Sequence, residues 1–127
     1  MAQRRTPHGA FGFLPIEAYF DSVLVHELAH ALYDRVPCPF EACVGSAEYL
    51  AYTLQIMSLA PADRRAFESR AAIERTIVAE EVNSFIALIA PDRFAQKAWA
   101  HLNQQGDRCA FLAQIAQGEI YFDFEEP

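Results

Sequence analysis

Between Pro15 and Arg35 the apolar positions recur at three- and four-residue steps, through Ile16, Tyr19, Phe20, Val23 and Leu24. That period is the stripe of an amphipathic helix, and Pro15 suits its first turn, where the missing N–H costs nothing. The next stretch, VPCPFEACVG over 36–45, carries Pro37, Pro39 and Gly45 and reads as a loop. Ser46 is the expected N-cap of a second helix, Ala47 to Leu59. Pro61 closes that helix and opens a short one through Phe67. A longer helix is expected from about Ile73 to Ile89, where Pro91 stops it and begins another through Leu102. Trp99, Phe94 and Leu102 form the packing stripe of that one. A last helix covers about Arg108 to Ala116, stopped by Gly118. The tail Glu119 to Phe124, EIYFDF, alternates and reads as one strand or as extended coil.

Pro7, Gly9 and Gly12 break any regular pattern near the start, so residues 1–12 read as a loose arm and 13–127 as one domain. A length of 127 residues fits one modest core, and 53% hydrophobic with 21% charged residues fits a globular chain. The expected fold is mainly α. The formal charge of −7 repels phosphate backbones, which argues against nucleic acid as a partner. No uncharged apolar run reaches the roughly 18 residues that span a bilayer. The chain as given reads as cytoplasmic, or as one from which a leader has been removed.

The chemistry lies in residues 23–32, VLVHELAHAL. On a helix, His26 and His30 stand on one face one turn apart, the arrangement that lets two imidazoles share a metal ion. Glu27 leans to the same side and is placed to take a proton from a metal-bound water. Uncharged neighbours surround the three, so this reads as a buried helix whose polar groups a metal and a water would satisfy. A catalytic zinc usually has three protein ligands. The third is expected to be Glu48, eighteen positions after His30, carried by a helix that crosses the first. Otherwise Glu48 is a solvent-facing residue of a helix's first turn. Glu41 is the runner-up, and Asp34 points past such an ion.

The HELAH motif followed by a glutamate on a later helix resembles the gluzincin type of zinc peptidase. The chain also resembles a family of small bacterial zincin-like proteins of unassigned activity, in VLVHELAHAL, AEYLAYTLQIMSL, PDRFAQKAWAHL and FLAQIAQG. The resemblance implies His26, His30 and Glu48 as ligands of one zinc ion, Glu27 as general base, and a peptide or protein substrate. Many gluzincins place an aspartate four residues after the ligand glutamate to orient a histidine; here that position is Tyr52, so another group must do it. The 25 residues before His26 do not read as the substrate-binding sheet of larger zincins. For the oxyanion donor the candidates are Tyr49, Tyr52, His101 and Tyr121.

Two other readings stay open. Three cysteines are an odd number; Cys109 is expected to be a small buried residue. If Cys38 or Cys43 reached the metal, four protein ligands would close the site and leave a zinc-stabilised module without catalysis. These two could instead form a disulfide. An interaction domain without metal would bury both histidines through hydrogen bonds.

Overall fold

A computed structural model describes residues 9–123 and gives six α-helices, with no strand among the described residues. α1 is Ile16–Tyr33, α2 Val44–Met57, α3 Pro61–Ala71, α4 Ser84–Ile89, α5 Pro91–Asn103 and α6 Arg108–Ala116. The mainly α class is as the periodicity implied. No described helix is long and apolar enough to cross a membrane.

α2 is the central element and packs against α1, α4, α5 and α6. Its sequence is apolar nearly all round, and Tyr49, Leu50, Ala51, Tyr52, Thr53 and Ile56 are buried. The α1–α2 pair is the most extensive helix packing in the molecule. α5 closes the core from the other side with Phe94, Ala98, Trp99 and Leu102, all buried as its stripe predicted.

The start of α2 corrects the expected cap. The helix begins at Val44, and Cys43 at its N-cap gives no side-chain hydrogen bond. The exposed N–H groups are met instead by Asp123, whose carboxylate accepts from the amides of Gly45 (2.7 Å) and Ser46 (3.1 Å). Ser46 and Ser84 donate their hydroxyls to the same carboxylate, each at 2.6 Å. An anion on a helix N-terminus is favoured by the aligned peptide dipoles. Gly45 suits this close approach, because a Cβ would stand 3.0 Å from Asp123 Oδ1 and 3.0 Å from the Ser84 amide nitrogen. Over 120–123 the tail has no regular secondary structure and its Asp123 closes the end of α2; Phe124, the last residue of the expected strand, lies outside the described residues. At the far end of α2, Arg64 donates to the carbonyls of Met57 and Leu59.

The long helix expected over 73–89 does not form. Ala72 adopts a left-handed conformation that ends α3, and residues 73–78 are irregular. A single 3-10 turn, Ala79–Glu81, precedes α4, which Asn83 caps by accepting from the Ile86 amide at 2.9 Å. The β-branched run Thr76, Ile77, Val78 weakens helix there, and Gln104 captures the Ile77 amide at 2.9 Å. Glu81 pairs with Arg75 and Lys97.

Residues 1–8 of the expected arm lie outside the described residues. Residues 9–12 do not form a loose arm: Ala10 and Phe11 are buried, and Phe11 packs against the rings of Tyr19, Tyr52 and Phe67. α1 is also not the buried helix its composition suggested. Tyr19, Val23, His26 and Ala29 face the core, whereas Ile16, Phe20, Leu24, Leu28 and Leu32 are exposed. Cys109 is exposed on α6 rather than buried.

Candidate metal centre

α1 presents His26 and His30 one turn apart, with ring centroids separated by 4.9 Å. α2 crosses the same face one turn after its start and brings Glu48 to both. His26 Nε2 stands 3.3 Å from Glu48 Oε1, and His30 Nε2 meets that same oxygen in a short hydrogen bond. One ligand atom from each of the three residues lies within 4.8 Å of the others, the one such group among the described residues. Donors held tetrahedrally at about 2.1 Å from an ion stand roughly 3.4 Å apart, so small side-chain adjustments would let this set enclose zinc.

The three sit in a solvent-open cavity of about 650 Å³, together with Glu27, Tyr33 and Asp34. Glu27 is exposed and faces this space beside the histidines. Glu41 is exposed and takes no part in the cluster; Asp34 lines the wall without joining it.

Electrostatics inside the cluster favour a cation. Burial pushes the Glu48 carboxyl up, but hydrogen bonds and charge from the two imidazoles override that and hold it at about 2. The hydrogen bond to Glu48 raises the pKa of His30, against the opposing effect of burial. A carboxylate and two imidazoles aimed at one point thus draw positive charge there, which a proton or a metal ion can supply.

The orienting group missing at Tyr52 is Gln55. The Ser22 hydroxyl donates to the Tyr19 carbonyl at 2.7 Å, and the Gln55 amide N–H donates to Ser22 Oγ at 3.1 Å. Gln55 Oε1 is thereby left to accept from His26 Nδ1–H at 2.9 Å. This polarity places a ring proton on Nδ1 and leaves Nε2 facing Glu48, where a second proton or a metal ion can sit between them. Gln55 is fully buried and lies seven residues after Glu48, two turns along the same face of α2. The sequence carried a faint signal for it: a polar residue in the otherwise apolar run LQIM. Tyr52 contributes only its ring, edge-on to His26 at 4.5 Å.

None of the four proposed oxyanion donors lines the cavity. Tyr49 and His101 bond each other in the core at 2.8 Å, and Tyr121 donates to the Pro37 carbonyl at 2.6 Å. The buried tyrosine of the cavity wall is Tyr33, which sequence reasoning passed over. Its hydroxyl, beside Ser46, makes no hydrogen bond of normal geometry, and burial raises its pKa. Cys38 and Cys43 form a disulfide at the cavity rim, so neither offers a thiolate to the histidines.

The chain belongs to a family of unknown function (DUF6639), whose model matches residues 1–125. No curated protein and no solved structure matches it.

Proposed function

We propose that this family member is a zinc-dependent hydrolase of peptide bonds, with His26, His30 and Glu48 holding one zinc ion and Glu27 as general base. The observation that carries the reading is the convergence of His26 Nε2, His30 Nε2 and Glu48 Oε1 in an open cavity with Glu27 on its wall. Two histidines and a glutamate are a known catalytic zinc set, which leaves a coordination position free. When bound, zinc supplies Lewis acidity and lowers the pKa of water.

The remaining work falls to the chain. Gln55 holds His26 in the tautomer that presents Nε2. Glu27 accepts a proton from the attacking water and returns it to the departing amine, so that oxygen adds to the carbonyl carbon as the C–N bond breaks. The disulfide tying up Cys38 and Cys43 supports an open site over one closed by a thiolate.

The test combines zinc titration with a peptide-library cleavage screen on the wild type and Glu27→Gln. Zinc should bind both proteins, and cleavage should fall by about 10²-fold or more in the variant. Full activity in Glu27→Gln would remove the catalytic assignment. Failure of the wild type to bind zinc would remove the metal centre as well.

A further inference from the structure

The end of α2 remote from Glu48 borders a second, smaller cavity of about 240 Å³. Met57 of α2, Arg64 and Arg65 of α3, Trp99 of α5 and Arg108 of α6 line it. Glu48 and Met57 stand nine residues apart on one helix, about 13 Å, so this cavity is separate from the candidate metal centre. Three of the ten lysine and arginine side chains of a chain with net charge −7 meet here. Two of them are held in place. Arg64 Nη1 donates to the Met57 carbonyl at 2.9 Å and to that of Leu59 at 3.2 Å. Arg108 Nη1 donates to Asn103 Oδ1 at 3.0 Å, and its Cζ stands 5.6 Å over the Trp99 ring. Arg65 is exposed and makes no hydrogen bond among the described residues. None of the three forms an ion pair there. The one carboxylate on the wall, Glu68, accepts from Trp99 Nε1 at 2.8 Å. Helix energetics do not call for this charge either: Arg108 is the first residue of α6, where the peptide dipoles disfavour a cation. Three cations against one carboxylate leave an excess of two positive charges around a small space.

We propose that this cavity binds a phosphate group, as the free ion or on a small molecule. Each guanidinium carries five N–H donors in a planar fork, and Arg64 and Arg108 have only Nη1 engaged. Donors of all three arginines therefore remain for one anion. A phosphate dianion supplies the two missing charges and three or four acceptor oxygens, whereas a carboxylate supplies one charge and two oxygens. At about 30 Å³ per water the cavity holds about eight waters, room for a phosphate with part of its hydration shell. Arg64 and Arg108 are positioned before the anion arrives, so little loss of side-chain freedom opposes binding. The acidic remainder of the chain repels a polyanion, which makes the ligand a small molecule rather than nucleic acid.

Trp99 is the single tryptophan of the chain, so its fluorescence reports on this cavity. Inorganic phosphate, titrated at constant ionic strength, should change that emission along a saturating curve with a midpoint below about 10 mM. Sulfate, of similar charge and shape, should compete; acetate should not. Arg65→Gln, which removes no hydrogen bond or ion pair from the fold, should raise the midpoint about 5-fold or more. Arg35→Gln makes the same change of net charge beyond the end of α1 and should leave the midpoint alone. The phosphorus NMR linewidth of phosphate, broadened by the wild type and much less by Arg65→Gln, gives the same reading without the indole. Glycerol phosphate separates the two sources: tighter binding than the free ion assigns a phosphorylated small molecule, and equal or weaker binding the ion itself. The proposal is overturned by a wild type that neither saturates in fluorescence nor broadens the phosphorus signal. A curve that acetate reproduces, or that Arg65→Gln leaves unmoved, overturns it equally. Arg65 takes no part in the candidate metal centre, so this site and the proposed hydrolysis stand or fall separately.

Discussion

A single amide decides how well the candidate centre is organised. Gln55 sits two turns beyond Glu48 on α2 and passes a fixed hydrogen-bond polarity from the Tyr19 carbonyl, through Ser22, to His26. Gln55→Leu keeps the volume and removes the acceptor, so zinc affinity should fall about 10- to 100-fold. Gln55→Glu keeps an acceptor at the same place and should retain most of it. Competition with a chromogenic chelator measures both. Equal affinity in Gln55→Leu and the wild type would show that the ring needs no such orientation. The His-Glu-x-x-His spacing was legible because a helix makes residues four apart neighbours whatever surrounds it. Gln55 was not, because its role depends on where α1 lies.

Between helices, the ends matter more than the middles. Asp123 satisfies the first amides of α2 and joins the hydroxyls of Ser46 and Ser84, although 77 and 39 residues separate it from them. Asp123→Ala would leave buried amides unmet and should cost about 2–4 kcal/mol, read as a shift in the urea midpoint. Because α2 carries Glu48 one turn from this end, the same variant should weaken zinc binding even where it stays folded. Asn83→Ala removes an ordinary cap on the short α4 and should cost about 1 kcal/mol without touching zinc. The Cys38–Cys43 bridge closes a short loop between the two site helices. Reducing it should cost about 2 kcal/mol by freeing the unfolded chain. Sequence periodicity placed α1, α5 and α6 well, because each has a clear start, stop and stripe. It failed over 73–89, where β-branched residues and the tertiary contact of Ile77 with Gln104 compete with an apolar pattern that looked helical.

At the scale of the molecule, the core holds an uncharged histidine. His101 lies buried among Tyr49, Phe111 and Phe122, and burial lowers its pKa from 6.5. The unfolded chain therefore binds this proton more readily than the native one. The corresponding stability is complete above about 6.5 and is lost as the pH falls through that value toward the native pKa. Urea unfolding between pH 7.5 and pH 5 should show that loss, and His101→Phe should reduce the slope. A variant with the wild-type slope would assign the acid sensitivity to other groups. By itself the sequence determined the helical class, the pair of histidines on one helix and Glu27 beside them, because these follow from local periodicity and spacing. Tertiary structure brought Glu48, the residue expected ahead of Glu41, onto the histidines, and it alone decided that Asp123 caps α2 and that the row from Ile16 to Leu32 lies outside. Each of those depends on how distant segments dock, and docking is set by the shape of the whole core rather than by the residues along any one stretch of chain.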